Sequence, residues 1–189
     1  MDLHVVKDIV VPIIIGVLSS VCFLLLISRL RPRLEISKQI AHIPAHAQGS
    51  LPGSYIIKVI NKSKRSATEI RGRLAIVQKV NVAGGQINQS TDFTLLTCPF
   101  ELPGKKRGTP AQLEESAFRF ATNDNIETNW TGNNFISFSV VAKDSLTGFG
   151  KVFTEGYYAP AGALKTGEFE IGHSMEITPP LKVAAAAAV

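Results

Sequence analysis

Histidine residues are the first candidates for chemistry, because they ligate metals and transfer protons near neutral pH. His42 and His46 stand four residues apart, a spacing that places two ligands on one face of a helix. Pro44 lies between them and breaks a helix, and no Cys, Asp or Glu lies within six residues of the pair. We therefore expect both histidines in a loop without a metal. His173, alone after Gly172, is expected at a solvated strand edge.

Serine and cysteine nucleophiles find little support. The run from Gly172 to Glu176, Gly-His-Ser-Met-Glu, lacks the second glycine of a nucleophile elbow. Gly148-Phe-Gly-Lys151 lacks the spacing and the hydroxyl residue of a phosphate loop. Cys98 precedes Pro99 in an apolar stretch, which is typical of a buried structural thiol. We expect no catalytic residue and no cofactor, and we rank an enzyme with a dispersed site as the least favoured class.

Basic residues form the most informative polar pattern. Residues 29–79 carry 11 Lys or Arg and two acidic residues, whereas residues 80–189 carry eight basic and 11 acidic residues. We expect the first basic group to lie at a membrane interface: Arg29, Arg31, Arg33 and Lys38. Two further groups are candidates for contact with lipid or a partner: Lys62, Lys64 and Arg65, then Lys105, Lys106 and Arg107. Each basic residue near anionic headgroups contributes about 1 kcal/mol.

Of two other interpretations of the same charges, one remains open and the other is not favoured. A solvated face combined with the ordinary positive-inside signal explains the basic groups equally well. Nucleic acid is not expected as a partner, because aromatic residues are not interleaved with the basic ones.

An apolar N-terminal segment positions the first basic group. Residues 9–28 hold 15 apolar residues and no charge, and twenty helical residues span about 30 Å, the thickness of a bilayer's hydrocarbon core. The run exceeds the roughly 7–15 apolar residues of a signal peptide and ends at Arg29. We predict a transmembrane helix over residues 9–28, preceded by a short flank, residues 1–8.

The orientation follows from the flanking charges. One basic residue, Lys7, precedes the span and four follow it, which favours a cytoplasmic C-terminal side. Cys22 lies in the span and Cys98 beyond it, so they cannot pair, which is typical of a reducing compartment. Three Asn-x-Ser/Thr sequons sustain the opposite orientation, since they are used only in a glycosylating lumen: they begin at Asn61, Asn88 and Asn129.

One face of the predicted span carries small or compact residues. Pro12, Gly16 and Ser20 recur every four residues, and such faces allow helices to approach closely. The chain is then a homo-oligomer, although a chance pattern on a lipid-facing helix is an equal alternative.

The rest of the chain is predicted to be one all-β domain over residues 33–182. Residues 29–53 form the basic juxtamembrane segment and first strand, residues 54–182 the remainder, and residues 183–189 an alanine-rich tail. Apolar alternation and β-branched residues predict about eight strands, a number and spacing typical of a sandwich. They are 33–40, 54–60, 67–80, 93–98, 117–121, 135–143, 151–158 and 167–171.

Several details of these strands are also predicted. In the second strand Tyr55, Ile57 and Val59 face the core, and Lys58 lies on the other face. The stretch Val82–Gly85 is interpreted as a breaker, and Asp144–Gly150 as a hairpin loop. A short helical turn is expected at Gln112–Ser116, after Pro110.

A resemblance follows from one motif. The run Tyr55-Ile-Ile-Lys-Val-Ile-Asn-Lys-Ser63, followed by a long strand, resembles the second and third strands of immunoglobulin-like domains. Over most of its length the chain is similar to uncharacterised bacterial single-pass membrane proteins in which an anchor precedes such a domain. The resemblance implies an immunoglobulin-like antiparallel β-sandwich and no activity. The antibody-type Cys…Trp…Cys pattern is absent, since Cys98 precedes Trp130 without a second cysteine.

The sequence therefore predicts a non-enzymatic, single-pass interaction or scaffold subunit of a membrane-associated complex. Its partners are membrane lipid and an unidentified protein. Two alternatives remain: an exported adhesion or recognition domain with reversed topology, and a defence effector whose assembled helices perturb the membrane.

Overall fold

The computed structural model describes residues 3–29, 31–44, 54–96, 98–105 and 108–179. His46, Lys106, Arg107 and the alanine-rich tail lie outside the described residues. The chain divides into two compact units, Met1–Arg31 and Pro32–Val189, and each is described by itself.

The first unit is a single helix, α1, over Leu3–Arg29. Its window Val10–Ile27 has a mean hydropathy of 2.9 and is long and apolar enough to cross a membrane by length and composition. From Val10 to Leu26 the large apolar side chains are exposed on every face, with Ile13 60% and Leu24 64% accessible. The helix begins earlier than the predicted residue 9, because the residues from Leu3 to Lys7 include no proline or glycine that would end it.

The predicted small-residue face of α1 satisfies its own polar group. The Ser20 hydroxyl donates a hydrogen bond to the carbonyl oxygen of Gly16 at 2.9 Å. A Cβ added at Gly16 would meet no atom within 4 Å, and Pro12 lies inside the helix. Among the described residues, no neighbouring atom requires a glycine at position 16.

The second unit is built mainly of strands, which make up 47% of the structure. In chain order the described elements are β1 (Leu34–Ile36), β2 (Ile40–Ile43), β3 (Ser54–Asn61), β4 (Ala67–Val82), β5 (Gly85–Phe93), β6 (Glu101–Leu102), α2 (Pro110–Glu114), β7 (Ala117–Thr122), α3 (Ile126–Asn129), β8 (Asn134–Asp144), β9 (Gly150–Tyr157), α4 (Pro160–Ala163), β10 (Leu164–Thr166), β11 (Glu168–Phe169) and β12 (Ile177–Thr178). The prediction of a mostly β protein with one N-terminal apolar helix is confirmed.

The first sheet is centred on β3. Strand β7 pairs along β3 from Tyr55 to Ile60, whereas β1 and β2 pair with successive parts of it. Because a strand has two edges, β1 and β2 lie end to end along the other edge of β3. Strand β10 then pairs with β2 in parallel. This parallel pair departs from the predicted antiparallel arrangement, and the predicted strand 33–40 is interrupted at Ser37–Gln39 and continues to Ile43.

The second sheet has the order β5-β4-β8-β9, with β6 also on β4, and all its pairs are antiparallel. Asp144–Gly150 joins β8 to β9 as a hairpin loop, as predicted, closed by Asp144 N donating to Phe149 O at 3.0 Å. The remaining strands, β11 and β12, form a separate two-stranded sheet.

The inward side chains of both large sheets contribute to one hydrophobic cluster. Tyr55, Ile57 and Val59 of β3 belong to it, as the alternation predicts, together with Leu74 of β4 and Phe138 of β8. A second, smaller cluster of Ala41, Phe169 and Ile177, with Ile56 against it, lies on the other face of the first sheet. The segment containing β11 and β12 therefore covers part of that face.

One predicted strand is displaced. Residues 93–98 were expected to be a strand, but β5 ends at Phe93 and the residues described after it form a loop. The stretch Val82–Gly85 ends the long strand β4, as predicted. It does so as a tight hairpin turn, since Val82 pairs with Gly85, which takes φ +136°. Strand β5 was not predicted, because most of its residues are polar and the sequence lacks the apolar alternation of a half-buried strand.

Candidate functional site

The two basic groups after the first are brought together by Asn61, the last residue of β3. Its buried Nδ2 donates to the carbonyl oxygens of Arg65 at 2.9 Å and Leu102 at 3.0 Å. Its Oδ1 accepts from Ser63 N at 3.0 Å, and Lys105 N donates to Ser63 O at 2.7 Å. One carboxamide thus ties the turn after β3 to the loop after β6.

A glycine makes this approach close enough. A Cβ at Gly104 would collide with the carbonyl group of Lys64, so a side chain at this position would push the two segments apart. Groups that are some forty residues apart in sequence therefore form one surface. We name it the basic end and define it as Arg33, Lys62, Lys64, Arg65 and Lys105.

The chain also enters the β domain at the basic end. Lys62 N donates to Arg33 O at 2.8 Å, just before β1 begins at Leu34. The Lys62 ammonium lies 2.7 Å from a carboxylate oxygen of Glu35, and both side chains are partly exposed. This pair moderates the positive charge of Lys62 without removing it from water.

Arg65 has a structural role at the basic end. Its Nε lies 3.1 Å from Oδ2 of Asp144, a carboxylate that is only 2% exposed. The other oxygen of Asp144 accepts from the backbone N–H groups of Leu146 and Thr147. Because a buried carboxylate needs a cation and donors, Arg65 fixes the β8–β9 loop.

Lys64 and Lys105 are the lysines of the basic end that remain available. Both are exposed, and neither has an ion pair within the described ranges. Arg33 is exposed as well. Lys38 is exposed but lies beyond the opposite end of β1, so it is not part of this surface, and Arg29 and Arg31 are exposed in the first unit.

A buried charge cluster, which the sequence did not indicate, lies on the outer face of β3. The side chain of Lys58 is fully buried, and its Nζ donates to Glu170 O at 2.6 Å. The same ammonium lies 3.3 Å from Oε2 of Glu114. Oε1 of Glu114 lies 2.9 Å from Arg119 on β7, and its Oε2 also accepts from Gly172 N.

Burial lowers the pKa of Lys58, and the neighbouring Glu114 carboxylate opposes this shift. Alternation along β3 puts Lys58 on the face away from the core and thus suggests exposure. That face is covered by α2 and by residues 168–172, which a periodicity argument cannot foresee. The only available signal was the acidic Glu114 in the predicted helical turn, which the structure places at Pro110–Glu114.

His173 and Ser116 form a second unexpected pair. The Ser116 hydroxyl is hydrogen-bonded to Nε2 of His173 and to Leu113 O. His173 is half-buried in the turn between β11 and β12 and does not lie at a solvated strand edge as predicted. Burial lowers the pKa of His173, and the positive charges of Lys62, Lys105 and Lys58 lower it further. A serine beside a neutral imidazole resembles a nucleophile and base, but Ser116 is only 1% exposed and cannot reach a substrate.

The other candidate residues also differ from expectation. His42 lies in β2 rather than in a loop; its ring stacks on Tyr55 with centroids 4.6 Å apart, and its Nδ1 is 3.6 Å from Glu127. Cys98 is exposed between β5 and β6 rather than buried in a strand. Across the described ranges, no group of three or more His, Cys, Asp or Glu residues is arranged to hold a metal.

The three sequons divide into two kinds. Asn61 is fully buried, with its Nδ2 committed to backbone carbonyls, so a glycan at this nitrogen would be incompatible with the fold. Asn88 and Asn129 are exposed. The excess of sequons that supported an exported domain is therefore reduced from three to two.

No protein-family model matches the chain, and no curated protein sequence matches it either.

Proposed function

We propose that this chain is a single-pass, membrane-anchored, non-enzymatic interaction subunit. Its β domain binds a protein partner, and its basic end contacts anionic lipid headgroups. The observation that carries the proposal is the exposure of α1: its large apolar side chains are uncovered on every face over a bilayer-spanning length. Apolar surface of this extent is stable in hydrocarbon and not in water.

We also propose that the β domain is an immunoglobulin-like β-sandwich. Two sheets that share one hydrophobic cluster support an immunoglobulin-like β-sandwich, in which inward residues of both sheets form the core. Such a domain presents loops and strand edges to partners while its core stays closed.

Covalent reach supports the lipid contact. Arg29 and Arg33 are four residues apart, a stretch that covers at most about 14 Å when fully extended. Arg33 O accepts the hydrogen bond from Lys62 N, so the basic end includes the point at which the chain arrives from the span. At roughly 1 kcal/mol for each basic residue near the headgroups, Lys64 and Lys105 together add a measurable attraction.

Protease protection tests the orientation and, with it, the cytoplasmic location of the β domain. Protease added to spheroplasts that express the chain is expected to leave the β domain whole, and lysis is expected to expose it. Digestion of the domain in sealed spheroplasts would reverse the assignment. Replacing Arg29, Arg31 and Arg33 with neutral residues, with lysines added near Met1, is expected to weaken or invert the orientation.

The exported alternative makes an opposite prediction. If the domain faced a glycosylating lumen, Asn88 and Asn129 would carry glycans, since both are exposed. A glycosidase-dependent shift in gel mobility, abolished by Asn88→Gln with Asn129→Gln, would favour that alternative. Unchanged mobility of the wild-type chain from the same compartment would remove its main support.

A further inference from the structure

The β4–β5 hairpin extends beyond its sheet as a two-stranded arm. Pairing of β8 with β4 ends at Asn134 opposite Gln78, whereas β4 and β5 continue to pair as far as Val82 and Gly85. Most side chains over residues 78–91 are exposed. We name residues 78–91 the arm.

A polar cleft of about 490 Å³ lies where the arm leaves the sheet. One part of its lining comes from the arm and the strand residues next to it, among them Gln78, Gln89 and Thr91. The other part comes from the segment around α3, which supplies Asn125, Asn129 and Asn134. The volume falls within the roughly 300–1,000 Å³ of ligand sites, and the lining is dominated by carboxamides.

The lining selects against charged ligands. Among the described residues no Lys or Arg lines the cleft, so a phosphate or sulfate group would find no unpaired cation in this lining. Of its two carboxylates, Asp92 is paired with Arg73 at 2.8 Å, and Asp124 accepts a hydrogen bond from Thr94 N at 2.6 Å. What remains is a set of neutral groups that both donate and accept hydrogen bonds.

The two parts of the lining differ in how far their side chains are already committed. Asn125 accepts from Thr128 N at 3.2 Å, and Asn134 donates to Asn129 O at 2.9 Å, so this part is held in place before a ligand arrives. By contrast, the side chains of Gln78, Gln89 and Thr91 make no hydrogen bond within the described ranges. Oδ1 of Asn134 is likewise without a partner there.

We propose that this cleft binds a neutral polyhydroxylated ligand, such as an oligosaccharide. A carboxamide carries a donor and an acceptor side by side, which matches neighbouring hydroxyl groups on a sugar ring. Phe93 and Ile76 also line the cleft and offer apolar surface to the C–H face of such a ring. The inference goes beyond the proposed membrane anchoring.

An array of immobilised neutral, anionic and amino-substituted oligosaccharides tests this assignment. The full chain would be applied in a zwitterionic detergent, because detergents with sugar headgroups would compete for the cleft. We expect binding to neutral oligosaccharides, followed by calorimetric titration with the best of them. No binding to any glycan, or binding confined to sulfated or phosphorylated glycans, would overturn the proposal.

Two paired variants locate the binding. Gln78→Ala with Gln89→Ala removes a cross-strand pair that lines the cleft, and we expect affinity to fall about tenfold or more, since two ligand hydrogen bonds are lost. Lys79→Ala with Asn88→Ala removes the next cross-strand pair, which points away from the cleft, and we expect an unchanged affinity. An equal effect of the two variants would overturn the assignment of the site. Equal thermal unfolding temperatures of the two variants show that folding is not the cause of any difference.

Discussion

The helix α1 and the β domain use the same apolar residue types in opposite ways. Between Val10 and Leu26 the large apolar side chains of α1 are exposed on every face, whereas Ile57 and Phe138 of the β domain are closed off from water. Burying one such side chain contributes about 1.5–3 kcal/mol, so the uncovered residues of α1 favour a nonpolar surrounding by tens of kcal/mol. The two regions do not differ in their apolar residue types. They differ in whether the rest of the chain covers those side chains.

The largest expected effect comes from placing a charge in the closed core. Ile57→Asp is expected to unfold the β domain, because an unpaired buried charge costs several kcal/mol against a stability of about 5–15 kcal/mol. Circular dichroism of the fragment 32–189 measures it: we expect a cooperative β-type spectrum for the wild type and loss of the thermal transition in the variant.

Ile171→Asp is the matched control, since Ile171 is an exposed isoleucine of the same domain. We expect its unfolding temperature to stay close to that of the wild type. A mainly helical spectrum of the wild-type fragment, or equal effects of the two aspartates, would contradict the distinction between covered and uncovered residues.

Removing one partner of a buried ion pair is expected to have the next largest effect. Glu114→Ala leaves the Lys58 ammonium buried with Glu170 O alone, which we expect to cost about 3 kcal/mol, the lower end for such a loss because Glu114 is partly exposed. Adding Lys58→Met to this variant is expected to restore part of the stability in chemical denaturation, because the contacts of Glu114 with Arg119 and Gly172 N stay lost. If the second substitution restored none of the loss, the buried charge of Lys58 would not be its cause.

The same lysine gives a pH dependence whose sign is fixed. Its pKa is lowered from the ordinary 10.5 by burial, so between the folded and unfolded pKa values the unfolded chain binds more protons. The contribution of Lys58 to stability therefore rises with pH in this window and levels off above 10.5. Relative to Lys58→Met, the wild type is expected to gain stability as the pH rises towards 10.5; a loss of stability over this range would contradict the lowered pKa of Lys58.

Lys58 also shows what can be predicted from the sequence. Alternation correctly assigns Tyr55, Ile57 and Val59 to the core, because one face of β3 packs against the second sheet. The other face is covered by α2 and residues 168–172. These segments are distant in sequence, and no pattern in them predicts the contact with β3. Strand β5 was missed for a related reason: both of its faces are exposed and polar, so apolar periodicity was absent.

The basic groups show a similar division. Their charge and their positions in turns can be predicted from the sequence. Their contact with each other cannot, because it depends on hydrogen bonds from the Asn61 carboxamide and on the absence of a side chain at Gly104. Asn61 instead appeared as a sequon, a pattern that is indifferent to burial. The cleft beside the arm was missed because it is formed by a strand and a helix turn that no motif connects.

A moderate effect is expected when the available lysines of the basic end are removed. Lys64→Ala with Lys105→Ala is expected to weaken binding of the fragment 32–189 to vesicles containing anionic lipid by about thirtyfold, from roughly 1 kcal/mol for each charge. Vesicle sedimentation at low salt measures the affinity, and high salt is expected to abolish it. Lys79→Ala with Lys165→Ala, two exposed lysines elsewhere, is the control. An equal loss in both variants would show a general charge effect without a localised surface.

The smallest effect concerns association of α1 with itself. Gly16→Leu is expected to reduce crosslinking between copies in a membrane, because a bulky side chain keeps two helix backbones apart. A Cβ at this position meets no atom of the described residues within 4 Å, so a loss of crosslinking would reflect contact between copies. Leu25→Ala, half a turn past two full turns from Gly16, is the control on the opposite face. Equal crosslinking of wild type and Gly16→Leu would leave α1 as an anchor only.

Alkaline carbonate extraction of membranes tests the proposed anchoring most directly, because it strips peripheral proteins and leaves spanning ones. We predict that the full chain stays in the membrane pellet, since the uncovered apolar faces of α1 lie in hydrocarbon. The fragment 32–189, which lacks α1, is predicted to appear folded in the supernatant. Release of the full chain into the supernatant would contradict a membrane-spanning role for α1.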